Sequence, residues 1–256
     1  MSVHNGPLVR RGSQLVADEL RAMILHGELA TAQSLPPEPE LAARLGVSRH
    51  HLREALRLLE QDGLVKVRPG RNGGVFLTVP GVEVLTRTFS LILARTSTPL
   101  RDLMAARLVI EPAAAAIAAR EATDAEIAAL EAIVEQQRTQ DRYTENLNTR
   151  FHVTLAAAAH NQTLLLMMRS IESLIRNIDV SVSNPELKEG SYRAHRAIVR
   201  AMRVRDPEQV ADLVRRHIRG FEDLLPAAGL DPDTHTVADL LQLAERTRRA
   251  RLNGVG

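Results

Sequence analysis

Residues 35–76 read LPPEPELAARLGVSRHHLREALRLLEQDGLVKVRPGRNGGVF. Two short amphipathic segments flank the turn Leu45-Gly46-Val47, and two strand-like runs with a glycine-rich tip follow them. Pro36-Pro37 forbids a helix before Glu38, and Ser48 is a favourable N-cap for the second segment. The order of helix, glycine-containing turn, helix and hairpin predicts a winged helix-turn-helix.

The exposed ends of this stretch suit contact with double-stranded DNA. A helix-turn-helix presents the start of its second helix to the major groove, and a glycine-rich wing tip can approach a minor groove closely. Residues 44–71 carry seven Lys or Arg against three Asp or Glu, whereas the whole chain has a net charge of only +2. A winged helix that contacts only protein is the alternative. The candidate DNA contacts are Ser48, Arg49, His50, His51, Arg53, Gly70 and Arg71.

The composition excludes several other classes of protein. Aromatic residues make up 2% of the 256 residues, which argues against recognition of single-stranded nucleic acid by stacking. The chain has no Cys, so a disulfide, a zinc–thiolate site and a thiol nucleophile are all excluded. We expect no signal peptide, because residues 1–13 lack an apolar core, and no membrane span. These features predict a cytoplasmic protein.

The sequence pattern changes after Pro80-Gly81. From residue 82 to residue 225 the apolar positions recur almost entirely at helical spacing, and alanine is abundant. The predicted fold is therefore mainly α, with an N-terminal winged helix-turn-helix and a C-terminal all-α bundle of six or seven helices. The predicted boundaries are a loose arm at 1–11 within a winged domain at 1–79, a linker at 80–84, a helical domain at 85–228, and a tail of unknown role at 229–256.

Three histidines lie on apolar stripes of three different predicted helices. Asn148 and His152 are four residues apart and share one helix face. His195 and His217 each lie on the apolar stripe of a later helix. Neutral imidazoles that converge from different helices commonly hold a divalent ion. Each histidine taken singly is more often an ordinary core residue, so both interpretations stay open.

The stretch LPPEPELAARLGVSRHHLREALRLLEQDGLV, followed by GRNGGVFL, resembles the N-terminal domain of the GntR family of bacterial transcription regulators. The resemblance implies that Arg49 and Arg53 contact an operator, with help from Ser48, His50 and His51. It implies that the glycine at position 70 approaches the minor groove. The sequence departs from the family at Pro39, where an Arg that helps to hold DNA is common. We therefore expect one phosphate contact fewer and a shallower salt dependence by roughly one unit of slope.

The segments RDLMAARLVIEPAAAAIAAREAT, NLNTRFHVTLAAAAHN and YRAHRAIVRAMRVRDPEQVADLVRRHI resemble the FCD effector domain of the FadR-type branch of that family. Many members bind zinc, nickel or a similar ion through one Asp and three His. The resemblance places the histidines at His152, His195 and His217, and it places Asn148 at the Asp position. It also places Arg107 near an effector pocket, although a plain i, i+4 ion pair with Glu111 explains that residue almost as well.

Together these features predict a metabolite-responsive transcriptional regulator, a repressor that binds a palindromic double-stranded operator as a homodimer. The expected effector is a small carboxylate or acyl compound, bound with the help of a zinc or nickel ion. A regulator that senses the metal itself is the alternative. A metal-dependent enzyme is disfavoured, because no motif such as H-E-x-x-H supplies a general base beside the histidines. We therefore expect no enzymatic activity.

Overall fold

The computed structural model of the protein describes residues 7–29, 34–70, 73–139, 147–176 and 185–253. The chain forms two compact units, Met1–Val84 and Leu85–Gly256. Within the described residues, α-helices dominate and the sheet has two strands. The prediction of a mainly α protein with an N-terminal winged helix-turn-helix is confirmed.

The N-terminal unit is built from three helices and a hairpin. The elements are α1 (Pro7–Leu25), α2 (Glu38–Arg44), α3 (Arg49–Gln61), β1 (Val65–Arg68) and β2 (Gly74–Leu77). The strands pair antiparallel, with Val65 opposite Leu77 and Arg68 opposite Gly74. Buried residues of α1 and α3, among them Leu20, Leu52 and Leu59, form one core that also includes Leu41 of α2 and Val75 of β2.

The start of α1 differs from the prediction. The loose arm expected at residues 1–11 is wrong for its second half, because α1 begins at Pro7. Proline suits the first position of a helix, since its fixed φ is already helical and its missing N–H would have had no helical partner. Residues 1–6 lie outside the described part of the chain.

The C-terminal unit is built from helices joined by short connections. Its elements are α4 (Val82–Arg95, which spans the boundary between the units), α5 (Leu100–Glu121), α6 (Asp124–Thr139), α7 (Leu147–Ala157), α8 (Gln162–Ile175), α9 (Pro185–Arg203), α10 (Pro207–Glu222) and α11 (Val237–Asn253). A short 3₁₀ turn at Pro226–Ala228 joins α10 to the last helix. In the described residues, no helix is both long enough and apolar enough to cross a bilayer.

Two helices of this unit begin with side-chain capping bonds. Thr123 and Glu126 form a reciprocal capping box, in which the Glu126 carboxylate accepts from the Thr123 N–H at 2.8 Å and the Thr123 hydroxyl accepts from the Glu126 N–H at 3.2 Å. The Asp206 carboxylate accepts from the Gln209 N–H at 2.9 Å, ahead of Pro207 at the first helical position.

The helices of this unit enclose two apolar clusters. The larger cluster joins buried residues of α5, α6, α7, α9 and α10, including Ile127, Phe151 and Val214. The smaller cluster includes Leu100 of α5, Leu174 of α8 and residues of the C-terminal segment. Backbone hydrogen bonds join that segment to the start of α5, where the Leu100 N–H donates to the His235 carbonyl at 2.9 Å. The residues predicted as a tail therefore contribute to the core, and most of them form α11.

Candidate functional site

Three imidazoles from α7, α9 and α10 converge inside the larger helical unit. The Nε2 atom of His217 lies 3.1 Å from Nε2 of His195 and 3.2 Å from Nε2 of His152. His152 and His195 are buried, and His217 is half-buried. Their candidate ligand atoms all lie within 4.8 Å of one another. The three histidines that the sequence placed on separate helices are thus brought together.

Contacts with acceptor oxygens on the far side of two rings indicate which nitrogen carries the proton. Nδ1 of His152 contacts a carboxylate oxygen of Glu111. Nδ1 of His195 lies 2.9 Å from the side-chain oxygen of Gln137. Both partners are acceptors, so both rings carry their proton on Nδ1 and present a lone pair at Nε2.

The three Nε2 atoms therefore meet at a point where there are fewer N–H donors than nitrogen lone pairs. His217 can place at most one Nε2–H between the lone pairs of His152 and His195, although it contacts both at hydrogen-bond distance. A divalent cation that prefers imidazole nitrogen, such as zinc or nickel, would match this arrangement of lone pairs. The residues present therefore fit such an ion.

Burial keeps the rings of His195 and His217 neutral. Burial lowers the pKa of His217 to about 3, and the electrostatic effects of nearby His152 and Arg107 act in the same direction. Burial also lowers the pKa of His195 well below its ordinary value, and His217 and His152 act in the same direction. At neutral pH, these two rings keep their lone pairs available to a metal ion.

A buried ion-pair network lies directly behind His152. Nε of Arg107 donates to Glu111 at 2.8 Å, and Nη2 of Arg107 lies 3.0 Å from a carboxylate oxygen of Glu172. All three side chains are only 3% exposed. Burial would raise the pKa of Glu111, but Arg107 and His152 together hold it well below its usual range. Nη1 of Arg107 is buried without a hydrogen-bond partner.

A second polar chain leads from His195 to Asn148. Gln137 of α6 is buried, accepts from His195 through Oε1 and donates from Nε2 to Oδ1 of Asn148 at 3.2 Å. The His195 ring also stacks on Phe151, with centroids 3.9 Å apart and ring planes 12° from parallel. These contacts hold the ring of His195 in place.

The candidate DNA-binding residues gather at the start of α3. The Ser48 hydroxyl accepts from the His51 N–H at 3.2 Å and so caps the helix. Arg49 and His50 are exposed beside it. Gly46 in the preceding turn has φ of 64°, a conformation that favours glycine. The turn and the cap together present the first turn of α3 to solvent.

Two residues of the predicted set have additional contacts. Nε of Arg53 donates to Glu38 of α2 at 2.7 Å, while the Arg53 side chain remains 65% exposed. The His51 imidazole is half-buried against α1, because a Cβ added at Gly12 would lie 3.3 Å from the ring. His51 therefore faces α1, whereas Arg53 is steadied by a carboxylate but open to solvent.

The wing is a tight turn between β1 and β2. Gly70 has φ of 104° and its carbonyl accepts from the Gly73 N–H at 2.9 Å. The guanidinium of Arg68 lies over the Phe76 ring, 4.5 Å from its centroid. Arg71, which belongs to the predicted DNA contacts, lies outside the described residues.

Comparison with known proteins decides the family. Residues 13–75 match the family described as bacterial regulatory proteins, gntR family, and residues 102–220 match the FCD domain. The L-lactate dehydrogenase operon regulatory protein of Escherichia coli strain K12 is 33% identical over 175 residues, which cover 66% of this chain and 67% of that protein. The chain belongs to the GntR family. It is a DNA-binding transcriptional regulator and not an enzyme, as predicted.

Other members of the GntR family are similar over more of the chain. The Glc operon transcriptional activator of Escherichia coli strain K12 is 29% identical over 221 residues, covering 80% of this chain and 85% of that protein. The solved structure of Streptococcus agalactiae GntR matches with a TM-score of 0.63 and 29% identity, covering 82% of this chain and 98% of that one. The similarity therefore extends over both units.

Sequence reasoning missed two polar residues near the histidines of this GntR-family protein. Glu172 lies on the buried face of α8 with Met168 and Ile171, and Gln137 ends the buried stripe of α6. Each interrupts an apolar stripe, which is the signal that could have revealed it. The predicted pair of Arg107 and Glu111 does form, but Glu172 makes it a network of three charges.

Proposed function

We propose that His152, His195 and His217 hold a divalent metal ion, and that a small carboxylate effector bound beside it controls binding of the winged helix-turn-helix to an operator. The observation that carries this proposal is the convergence of three Nε2 atoms, at 3.1 and 3.2 Å, with at most one hydrogen to share. Zinc or nickel suits a set of imidazole ligands. When bound, the ion would supply a positive centre for an anionic effector.

The chain's own residues support a carboxylate as the effector. Arg107 is buried near the histidines, and its Nη1 group has no hydrogen-bond partner. A guanidinium suits a carboxylate in both charge and shape. One relative is named for an L-lactate dehydrogenase operon, and lactate is a small 2-hydroxy carboxylate. We propose this chemical class for the effector.

On the DNA side, we propose that Arg49 and Arg53 of α3 contact bases or phosphates, with Ser48 and His50 beside them. Arg49, Arg53 and His50 are exposed on the first turns of α3. His51 would contribute by seating α3 on α1. Gly70 and Arg71 would serve at the wing tip. A palindromic operator has two half-sites, and each half-site is bound by one winged helix-turn-helix. We therefore propose that the protein binds such an operator as a homodimer.

We propose that the protein represses transcription. The effector would favour an arrangement of the two winged helix-turn-helix domains that releases the operator. One relative is named as an activator, so transcription in vitro on the native promoter is the deciding assay. A rise in transcript when the effector is added to promoter and protein is the expected result. A fall would make the protein an activator.

Elemental analysis tests the metal site directly. Protein loaded with Zn²⁺ and then dialysed should hold one ion per chain, and His195→Ala should lower that content to a small fraction. His160→Ala is the matched control, because His160 is an exposed histidine that pairs with Glu126 outside the cluster. Equal zinc content in the wild type and in His195→Ala would refute the site.

A metal-sensing regulator is the second candidate, and one observation favours it. The charge of Arg107 is already balanced by the carboxylates of Glu111 and Glu172, so the guanidinium needs no anionic effector to pair with. Calorimetry on the zinc-loaded protein separates the two candidates. Heat of binding with L-lactate and a panel of related acids supports the carboxylate site, whereas DNA binding that responds only to zinc supports the sensor.

A further inference from the structure

We propose that Glu38 is a positioning residue for DNA recognition, which directs Arg53 to a base edge and weakens the attraction of Arg53 to phosphate. The proposal rests on the proposed contact between Arg53 and DNA, and it adds how that contact becomes specific. Glu38 is the first residue of α2, and Arg53 lies in the second turn of α3. The pair therefore joins the two helices of the helix-turn-helix.

The geometry of this pair leaves the outer edge of the Arg53 guanidinium open. Nε of Arg53 donates to Oε2 of Glu38 at 2.7 Å. An arginine side chain carries one N–H on Nε and two on each Nη, so this bond uses only one donor of five. Among the described residues, neither Nη atom of Arg53 has a hydrogen bond or an ion pair. The two Nη groups therefore form a free fork that matches the O6 and N7 acceptors of guanine.

Glu38 is the better anchored partner of the two. Its side chain is 29% exposed, whereas that of Arg53 is 65% exposed. Glu38 begins a helix whose Leu41 and Ala42 are buried in the core of the N-terminal unit, so its backbone is fixed. Holding Nε of Arg53 against this carboxylate restricts a long side chain before DNA arrives. Less rotamer freedom is then lost when Arg53 binds a base.

The same carboxylate opposes a phosphate contact by Arg53. Non-specific binding to DNA depends on the number of phosphates that cationic side chains neutralise. A phosphate at the open edge of the guanidinium would lie within one Debye length, about 10 Å at 0.1 M salt, of the Glu38 carboxylate, so the two anions would repel each other. A guanine edge presents uncharged acceptors and avoids this repulsion. Glu38 therefore raises the ratio of specific to non-specific affinity.

Glu38→Gln tests the proposal, because it keeps an acceptor oxygen in place and removes the negative charge. Fluorescence anisotropy on an unrelated duplex should show affinity higher by about fivefold, and the slope of log affinity against log salt should be steeper by roughly one unit. Affinity for an operator selected from random sequence should rise by a smaller factor. Glu40→Gln is the matched control, since Glu40 is an exposed carboxylate in the same turn of α2, without an ion pair in the part of the chain that the structure describes.

A scan of single base-pair changes in the selected operator locates the base that Arg53 contacts. The wild type should lose about 5- to 150-fold in affinity when one particular G·C pair is replaced. Arg53→Ala should bind both versions of that operator equally, and Glu38→Ala should lose most of the preference. In the Arg53→Ala background, Glu38→Gln should no longer raise affinity for the unrelated duplex.

Two results would overturn the proposal. One is equal affinity of Glu38→Gln and Glu40→Gln for the unrelated duplex. The other is a loss in Arg53→Ala that is the same for every operator variant, since that pattern would make Arg53 a phosphate contact. Failure of the proposed DNA contact itself would be distinct, because Arg53→Ala would then bind operator and unrelated duplex like the wild type.

Discussion

At the scale of single residues, Arg49 is a position where a substitution should lower affinity for DNA without lowering the stability of the fold. It is exposed at the first turn of α3, so its loss leaves the core intact. Arg49→Ala should lower specific operator affinity by roughly 5- to 150-fold, the equivalent of about 1–3 kcal/mol for one bidentate base contact. Its unfolding free energy should stay within about 0.5 kcal/mol of the wild type.

Fluorescence anisotropy on an operator selected from random sequence measures the affinity of Arg49→Ala. Arg57→Ala is the matched control, because Arg57 lies two turns further along α3 and pairs with Glu54 at 2.7 Å. A footprint retained by Arg49→Ala at the wild-type concentration would contradict the assignment of α3 as the recognition helix.

The buried histidines make a second residue-scale prediction, on stability against pH. The pKa of His217 falls to about 3 in the folded protein, and that of His195 falls well below 6.5. The unfolded chain therefore takes up protons below pH 6.5 that the folded chain refuses, so stability is complete above that pH and is lost as pH falls. Each ring contributes about 1.4 kcal/mol per pH unit.

Urea unfolding of the chelator-treated protein between pH 6.5 and pH 5 measures this loss. His217→Asn should reduce the slope by about one ring's share, even if the variant is less stable at every pH. Slopes that match between the wild type and His217→Asn would show that the ring is not held neutral by burial.

Side-chain contacts could be predicted from the sequence only where the two residues lie close together in the chain. Arg107 and Glu111 are i, i+4 on one helix, so their pairing was predictable from spacing alone. Glu172 joins them from α8, and its approach depends on how α8 packs against α5. The same holds for Gln137, whose contact with His195 spans 58 residues. Local spacing carries no information on such contacts.

At the scale of elements, the wing depends on glycine at position 73. A Cβ there would lie 2.2 Å from the Arg68 carbonyl oxygen, a backbone atom that cannot move without opening the hairpin. Gly73→Ala should destabilise the N-terminal unit by about 1–3 kcal/mol and weaken operator binding. Thermal unfolding and anisotropy measure the two effects.

Gly220→Ala is the matched control for the wing. No atom lies within 4 Å of a Cβ added at Gly220 inside α10, so this variant should be stabilised by about 0.5–1 kcal/mol. If Gly73→Ala is as stable as the wild type and binds the operator equally well, the wing turn does not need its glycine.

The sequence was most informative about individual helices and strands. The caps at Ser48, Thr123 and Asp206 were predictable because each bond joins residues three apart, and all three form. The start of α1 was missed because Gly12, a weak helix former, separates the residues after Pro7 from the apolar stripe that begins at Leu15. The role of residues 229–253 was missed because Leu230 and Val237 pack against α5 and α8, far away in the sequence.

At the scale of the whole molecule, the similarity to GntR-family proteins spans both units and accounts for the order of winged head and helical domain. Neither the sequence pattern nor the similarity to relatives shows how the three-histidine site is connected to DNA binding. That connection depends on whether ligand binding at the three-histidine site changes the affinity of the winged helix-turn-helix for DNA.

Operator affinity with and without metal tests this central claim most directly. Wild-type protein on its selected operator should differ in affinity by about 5- to 150-fold between the zinc-loaded form with L-lactate or another acid from the panel and the chelator-treated form. His195→Ala should show no such difference while binding the operator itself. Equal wild-type affinity in the two states would contradict the claim that this site controls DNA binding.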